Sequence, residues 1–485
     1  MKPWRSWILL ISLTCLSIGI YLGSAARTYR QGYPLDDAWI HQVYARNLAS
    51  GAGWGFFPGQ PDGGSTAPLW SGLISLGYWL GIQPMIWTFT LGGASLLGLV
   101  LIGRSGINHN TSDSKKIFFF SLLIVFEWHM VWAAGSGMET LLYSCLVTLV
   151  IVWLAGEWGR WFLLGFAIGA AVWLRPDGIT LLGPALVSLW LPSAGLDQKA
   201  KKSAQLASGF SIPFGLYLMF HFSLIGKFWP TTLIAKQAEY ELLQTIPFPE
   251  RVAQLALQPL IGAGIFLLPA AIVFGLRAVR SANWPQVSGI LWAVGTVCLY
   301  AWRLPVTYQH GRYLIPIVPI FFIWGVSGLP FSQLGKARTR FVRWATLVWI
   351  CSIAGISIAF YIQGGRAYGL DVAVIESEMV DTANWLAQNT PERALIAAHD
   401  IGALGYFSNR RLVDLGGLVS PQVIPFLRQE ELLAGYLELQ QADYLVTLGG
   451  WYPRLEISFQ LVHSSGGIFS PLLGGTNMLV YRIRE

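Results

Sequence analysis

Long apolar segments alternate with short polar ones over the first three quarters of the chain. Because an α-helix rises about 1.5 Å per residue, about 20 mainly apolar residues cross the hydrocarbon core of a bilayer. On this criterion the pattern predicts about eleven membrane-spanning helices and an all-α polytopic membrane domain over residues 1–363. The predicted ranges are 7–23, 84–103, 117–134, 138–156, 161–174, 178–192, 203–223, 252–276, 286–302, 312–330 and 341–363.

The remaining residues, 364–485, have the composition of a soluble domain. Apolar runs at residues 394–398, 444–447 and 478–483 are typical of β-strands, and residues 376–388 are typical of a helix. We therefore expect a small C-terminal α/β domain.

Lysine and arginine residues lie mainly in one set of the loops between the predicted helices, with few acids nearby. By the positive-inside rule, this set faces the cytoplasm. An odd number of spans then places the N-terminus in the cytoplasm and the C-terminal domain outside it, in a multi-pass protein of the plasma membrane. The residues are Lys2, Arg5, Arg104, Lys115, Lys116, Arg160, Lys199, Lys201, Lys202, Arg277, Arg280, Lys336, Arg338, Arg340 and Arg343.

The first external loop is predicted at residues 24–83. It contains a short apolar stretch at residues 67–80, and counting this stretch as a span would reverse the orientation of every later loop. We therefore predict a juxtamembrane or re-entrant helix there. The small residues Ser24, Ala25 and Ala26 follow the first apolar segment as in a secretory signal, but we expect this segment to remain as an anchor.

Composition supports a membrane protein and argues against two other classes. Hydrophobic residues make up 54% of the chain and charged residues only 12%. The net charge of +7 is divided among short loops, so no nucleic-acid partner is expected. The four cysteines lie in apolar segments, which indicates neither a disulfide framework nor a CxxC metal site.

Two adjacent carboxylates, Asp36 and Asp37, begin a helix-like stretch of the first external loop. Adjacent side chains on a helix point about 100° apart, so the two aspartates should have separate roles. Helical spacing places Asp37, His41 and Tyr44 on one face. The pair either caps the helix and complements its dipole, or supplies one carboxylate to a pocket.

A family resemblance favours the second role. The sequence DDAWIHQVYARNLASGAGWGFFPG from Asp36, followed by STAPLW from Ser65, resembles the first external loop of bacterial GT-C glycosyltransferases, especially the mycobacterial arabinofuranosyltransferase group. The segments GMET, RPDG, RYLIP, DIGALGY and DLGGL fit the same pattern at residues 137–140, 175–178, 312–316, 400–406 and 414–418. Ala67 and Pro68 depart from it, because the family pattern has Asn after Thr66.

The resemblance implies a GT-C fold and a hexosyl- or pentosyltransferase. A sugar would move from a polyprenyl-phosphate donor to a hydroxyl of a glycan, lipid or protein acceptor on the extracytoplasmic face. Asp36, or secondly Asp37, is then the general base. The leaving phosphate calls for cations, for which the candidates are Arg312, His310, Lys227 and Lys236. Arginine and lysine at membrane borders also contact lipid headgroups, and this second role stays open.

Further polar residues could support an acceptor pocket: His41, Tyr44, Arg46, Glu139, Arg175 and Asp177. A carboxylate at the edge of a span, such as Glu139, requires a cation or a hydrated cavity. Arg175 and Asp177 flank Pro176, and we favour a structural turn for them. The resemblance does not decide metal use. If Mg²⁺ or Mn²⁺ takes part, Asp36, Asp37 and Glu139 are the candidate ligands.

Two other functions fit parts of the pattern. A transporter or flippase of lipid-linked sugars would also place charges in a membrane cavity, but usually near the midplane on broken helices. A noncatalytic envelope-glycan assembly protein would need only the C-terminal domain. No Gly-rich phosphate loop is present, so no nucleotide cofactor is expected.

Overall fold

The computed structural model describes residues 3–331 and 339–484. Lys2, Lys336 and Arg338, which the charge pattern assigns to the cytoplasm, lie outside these residues. The helices of the membrane part are α1 Pro3–Thr28, α2 Asp37–Ala49, α3 Pro68–Trp79, α4 Pro84–Thr111, α5 Ser114–Val125, α6 Trp128–Ala134, α7 Thr140–Ala155, α8 Trp161–Leu174, α9 Leu182–Trp190, α10 Leu196–Ile225, α11 Thr232–Glu239, α12 Phe248–Leu257, α13 Ala263–Arg280, α14 Trp284–Arg303, α15 Val318–Gly328 and α16 Arg340–Val374.

The described residues include six helices that are long and apolar enough to cross a membrane, and the bent pair α5 and α6 makes a seventh. Two shorter apolar helices, α7 and α8, accompany them. The predicted polytopic helical domain is therefore confirmed, whereas the number of about eleven spans stays a prediction.

Two of the predicted spans are interrupted. The span at 117–134 bends by 53° between α5 and α6, because the Glu127 carboxylate caps the second helix by accepting from the Met130 amide at 2.9 Å. The span at 252–276 is divided after Leu257, and a new helix begins at Ala263. Pro259 lacks an amide donor, and Gly262 has a φ of +92°. Hydropathy alone does not reveal either break, since the flanking residues are apolar.

The C-terminal part contains the helices α17 Asp381–Asn389, α18 Gly402–Phe407, α19 Glu430–Gln440, α20 Pro453–Ser458 and α21 Phe469–Leu472, and the strands β1 Leu395–Ala398, β2 Arg411–Asp414, β3 Tyr444–Leu448, β4 Gln460–Ser464 and β5 Met478–Arg482. The strands form one sheet in the order β2-β1-β3-β5-β4. β1 is parallel to β2 and β3, whereas β5 is antiparallel to β3 and β4. The predicted α/β domain is confirmed.

The two parts are continuous in the chain. α16 runs through the predicted domain boundary at residues 363 and 364, and a π-helical turn, Ile375–Val380, links it to α17. The first external loop adds a second connection, because α2 packs against both α3 and α18. α2 therefore lies between the membrane helices and the C-terminal domain.

The N-terminus of α18 is fixed by Asp36. Its two carboxylate oxygens accept from the amides of Gly402 and Ala403, each at 2.7 Å. A carboxylate stabilises the exposed amides and the positive dipole at a helix N-terminus. Arg46 adds a second contact, donating to the Tyr406 carbonyl at 2.9 Å.

We expect Gly402→Ala to weaken this contact, because a Cβ at residue 402 would overlap the backbone oxygen of Asp36. Overpacking of this kind costs about 1–3 kcal/mol. The thermal unfolding midpoint in detergent should fall, and proteolysis of the C-terminal domain should become faster. Gly435→Ala in α19 is the matched control, since its Cβ would meet no atom within 4 Å. Equal behaviour of the two variants would contradict the role of this contact.

Candidate active site

Asp37, the first residue of α2, forms the centre of a charged cluster. Its Oδ2 atom lies 2.7 Å from Arg312 Nη2 and 3.5 Å from Lys236 Nζ. Burial disfavours the carboxylate, but Lys236 and Arg312 outweigh it and hold the pKa of Asp37 well below its usual range. Asp37 is therefore anionic at any physiological pH.

Arg312 is positioned by an unusual backbone. Gln309, His310 and Gly311 all have positive φ, between 55° and 61°. Side chains other than glycine rarely adopt this conformation, and it is common at functional sites. Gly311 is required for a second reason, because a Cβ there would lie 2.6 Å from Gln258 Oε1. The turn directs His310 and Arg312 into different surroundings.

Only one of the three nitrogens of the Arg312 guanidinium makes hydrogen bonds to the described residues. The residue is 5% exposed, and Nη2 donates to Asp37 and to the Tyr313 hydroxyl. Nε and Nη1 are buried and have no hydrogen-bond partner among the described residues. Buried donors without a partner cost about 1–3 kcal/mol each, so an acceptor is expected at this place.

Two cavities meet at this cluster. The larger has a volume of about 410 Å³ and is lined by α11, by the C-terminal end of α14, and by the residues at the start of α7 and after α8, including Glu139, Arg175 and Tyr300. The smaller, about 170 Å³, lies between the first external loop and the C-terminal domain. Lys236 and Arg312 line both cavities, and Asp37 lines the smaller one. A molecule in either cavity therefore reaches the same charged groups.

A second network forms one wall of the larger cavity. Arg175 Nη2 donates to the Tyr300 hydroxyl at 2.7 Å, and this hydroxyl donates to Asp177 Oδ2 at 2.8 Å. The Arg175 guanidinium also lies over the rings of Tyr143 and Tyr313, at 5.3 and 5.1 Å from their centroids. Cation–π contacts and the Asp177 carboxylate together compensate the buried charge.

The C-terminal part is similar to a known protein family. Residues 371–481 match the model of a family described as a domain of unknown function (DUF8728). Among curated protein sequences, none matches this chain significantly.

Solved structures give a whole-chain likeness. ArnT from Cupriavidus metallidurans bound to undecaprenyl phosphate aligns over 98% of this chain and 98% of that chain, with a TM-score of 0.59 and 14% identity. The same protein in the apo state gives a TM-score of 0.58 over 99% and 98% of the two chains, with 15% identity. The oligosaccharyltransferase of Archaeoglobus fulgidus, tethered with an acceptor peptide, aligns over 100% of this chain and 75% of that chain, with a TM-score of 0.60 and 9% identity. This chain has the GT-C fold.

Within this GT-C fold, the predicted site residues divide into several groups. Asp37, Lys236 and Arg312 meet, as described above, and Glu139, Arg175 and Asp177 line the larger cavity. Arg175 and Asp177, for which the sequence favours a structural turn, thus also face a cavity.

The face predicted for α2 exists, but its members meet different partners. His41 Nε2 lies 3.6 Å from Glu139 Oε2. The Tyr44 hydroxyl donates to Asp62, whose carboxylate also accepts from the amides of Phe56 and Gly64. Tyr44 therefore orders the first external loop of the GT-C domain rather than lining either cavity.

Two of the four predicted phosphate-binding cations lie elsewhere. His310 Nε2 is 2.7 Å from Asp371 Oδ2, in a separate groove lined by Trp128 and Trp132. Lys227 is exposed and lines neither of the two cavities. The chain places only Lys236 and Arg312 at the junction, because His310 and Arg312 lie on either side of Gly311 in the left-handed turn.

Asp36 occupies a different environment from Asp37. Burial and the neighbouring Asp400 raise the pKa of Asp36, although the two amides of α18 favour its anion. Because both of its oxygens are engaged, Asp36 has a clear structural role in this GT-C chain.

The sequence predicts no role for several cavity residues: Glu239, His399 and Tyr300, together with Tyr313 and Asp400, which occur only within quoted motifs. His399 Nε2 lies 3.6 Å from Glu239 Oε1. The motifs RYLIP and DIGALGY contain Tyr313 and Asp400, and His399 directly precedes the second motif, so these motifs could have indicated all three residues. Glu239 and Tyr300 belong to no motif, so only the fold reveals them.

The carboxylates considered for a metal do not fit one ion in this arrangement. Asp36 faces the amides of α18, Asp37 faces Arg312, and Glu139 faces His41. No group of three or more His, Cys, Asp or Glu side chains in residues 3–331 and 339–484 is placed to hold a metal ion.

We expect the contact between the C-terminal domain and α2 to weaken as pH rises. Burial raises the pKa of Asp36 and of Asp400, and for His399 the Glu239 carboxylate outweighs burial and raises the pKa. A group whose pKa is raised on folding stabilises the folded state below its unfolded pKa, about 3.9 for Asp and 6.5 for His, and this contribution is lost as pH rises through the folded pKa.

The pKa values of Asp37 and Glu239 are lowered, so their contributions are lost only in stronger acid. Hydrogen exchange of the Gly402 and Ala403 amides, corrected for the intrinsic rate, should therefore show less protection at pH 8.5 than at pH 5.5. Equal or greater protection at the higher pH would contradict this expectation.

Proposed function

We propose that this chain is an integral membrane glycosyltransferase that moves a sugar from a polyprenyl-phosphate donor to an acceptor hydroxyl on the extracytoplasmic face. The observation that carries the proposal is the junction of two cavities at Asp37, Lys236 and Arg312. The GT-C fold supports the reaction class. One structure with this fold, ArnT, was solved with bound undecaprenyl phosphate, which supports the donor class.

In this proposal the larger cavity holds the donor. The free Nε and Nη1 atoms of Arg312 and the ammonium of Lys236 supply donors and positive charge for the phosphate. Ile179, Leu233 and Leu299 line the same cavity and suit the first isoprene unit. Charge stabilisation is strong in such a buried place, because little water screens it.

The acceptor approaches through the smaller cavity, and Asp37 acts as the general base. The acceptor oxygen forms a bond with the anomeric carbon while the bond from that carbon to the phosphate oxygen breaks. Asp37 takes the hydroxyl proton, and the polyprenyl phosphate leaves with the electron pair, stabilised by Arg312 and Lys236.

Asp36 is the less suitable base, although the family resemblance favours it. Its oxygens accept two amide hydrogen bonds, whereas the Asp37 side chain is 26% exposed beside a cavity. Whether the sugar is a hexose or a pentose, and whether the acceptor is a glycan, a lipid or a protein, stay predictions from the family resemblance. The same holds for the likeness to arabinofuranosyltransferases.

The extracytoplasmic location of the site is part of the proposal. Basic residues accumulate on the loops of one side, and the positive-inside rule assigns that side to the cytoplasm. Asp37, Lys236 and Arg312 belong to loops of the other side. A lipid-linked donor presented in the outer leaflet would reach them without crossing the bilayer again.

We expect Asp37→Asn to reduce sugar transfer by about 10²–10⁴-fold, because a general base contributes about this factor. The assay measures prenyl phosphate released from a panel of farnesyl-phosphoryl hexoses and pentoses by the protein in nanodiscs, with envelope extract as acceptor. Asp36→Asn is the matched control. Asp36→Asn should lower the unfolding midpoint, because its amide group would face an N–H of α18. It should reduce the rate of sugar transfer much less than Asp37→Asn does. Full activity of Asp37→Asn would refute this assignment of the base.

We expect Lys236→Ala to weaken binding of farnesyl phosphate about ten- to hundredfold, since a charge-assisted hydrogen bond contributes about 1.5–3 kcal/mol. Titration calorimetry with the protein in nanodiscs measures this. Lys227→Ala removes an exposed lysine from the segment between α10 and α12, which also contains Lys236. This substitution should leave the affinity unchanged. Equal effects of the two substitutions would indicate general attraction to the membrane surface instead of a phosphate site.

A further inference from the structure

The proposed reaction leaves one buried carboxylate of the larger cavity without a role. Glu139, directly before α7, lines this cavity and is 6% exposed. Its Oε2 atom is buried and has no hydrogen-bond partner among the described residues. A buried carboxylate oxygen without a partner is costly, so a donor group is missing at this place.

His41 does not supply that donor at hydrogen-bond length. Its Nε2 atom remains 3.6 Å from Glu139 Oε2, beyond the usual range. The other ring nitrogen, Nδ1, lies 2.9 Å from Ser71 Oγ, which is in turn 3.0 Å from Ser65 Oγ. These contacts fix the imidazole ring. His41 therefore orients Glu139 but leaves its Oε2 atom without a hydrogen-bond donor.

The two contacts of α2 lie about one helical turn apart. Asp37 and His41 are four residues apart on α2, and one helical turn rises about 5.4 Å. Asp37 contacts the cations proposed for the phosphate, and His41 lies next to Glu139. A monosaccharide has about this length. Thr66 and Thr140 also line the cavity.

We infer that Glu139 binds hydroxyl groups of the donor sugar and makes this cavity selective for a hydroxyl-bearing monosaccharide without a carboxylate group. The inference rests on the proposed function. A carboxylate accepts two hydroxyl hydrogen bonds and repels the carboxylate of a uronic acid.

The test separates the sugar from the phosphate by comparing two kinds of ligand. Affinities for farnesyl phosphate, farnesyl-phosphoryl mannose, farnesyl-phosphoryl arabinofuranose and farnesyl-phosphoryl glucuronic acid are measured calorimetrically on the protein in nanodiscs. For the wild type, we expect one neutral sugar to improve binding about tenfold over farnesyl phosphate alone, and the uronic acid to give no improvement.

Glu139→Gln should abolish this improvement and keep the affinity for farnesyl phosphate. Lys236→Ala should weaken binding of all four ligands about equally. His41→Gln, which disturbs only the orientation of Glu139, should reduce the improvement by a smaller factor. It provides a second measurement if Glu139→Gln does not fold.

Three outcomes would overturn the inference while the proposed function stands. The first is unchanged sugar preference in both Glu139→Gln and His41→Gln. The second is binding of the uronic acid as tight as that of the neutral sugars. The third is a preference that disappears with EDTA and returns with Mg²⁺ or Mn²⁺, because Glu139 would then be a metal ligand. Failure of the wild type to bind farnesyl phosphate would instead reject the proposed function itself.

Discussion

The ion pair between Asp37 and Arg312 is the constraint on which the arrangement of the site depends. It joins residues 275 positions apart, one at the start of α2 and one before α15. Buried charges are tolerated only when they are paired, so each side chain requires the other. Lys236 adds a second cation, and the cluster then has more positive than negative charge. An anion in the adjacent cavity would balance this charge, which is why a phosphate suits the site.

Asp36, the residue before Asp37, connects this charged cluster to the C-terminal domain. Successive residues at a helix start point about 100° apart, so Asp36 can hold the amides of α18 while Asp37 faces the cations. The same helical turn therefore fixes the position of both groups. Glu239 and His399, which lie 3.6 Å apart, also line the smaller cavity. Any shift of the C-terminal domain would change the surroundings of Asp37.

Much of the fold follows from hydropathy, because long apolar segments and β-strand patterns depend on local sequence. The bends at Glu127 and at Pro259 do not follow from it, since average hydropathy is insensitive to a single capping or helix-breaking residue. Motifs indicated Asp37 and Arg312, and the fold brings these two residues into contact. They also suggested His310, which a left-handed turn directs into another groove. Pairings such as Glu239 with His399 arise only from tertiary contacts, so no local pattern could predict them.

A base held by two cations is a weak proton acceptor, and this raises the question of how Asp37 would act in the proposed reaction. Lys236 and Arg312 keep the pKa of Asp37 low in the resting site. A donor phosphate competes for the same two side chains, and it competes more strongly as the leaving group gains charge. The proton affinity of Asp37 then rises while the acceptor hydroxyl becomes acidic. Base strength would thus be coupled to departure of the phosphate, so an ion pair that weakens Asp37 at rest is compatible with its role as the base.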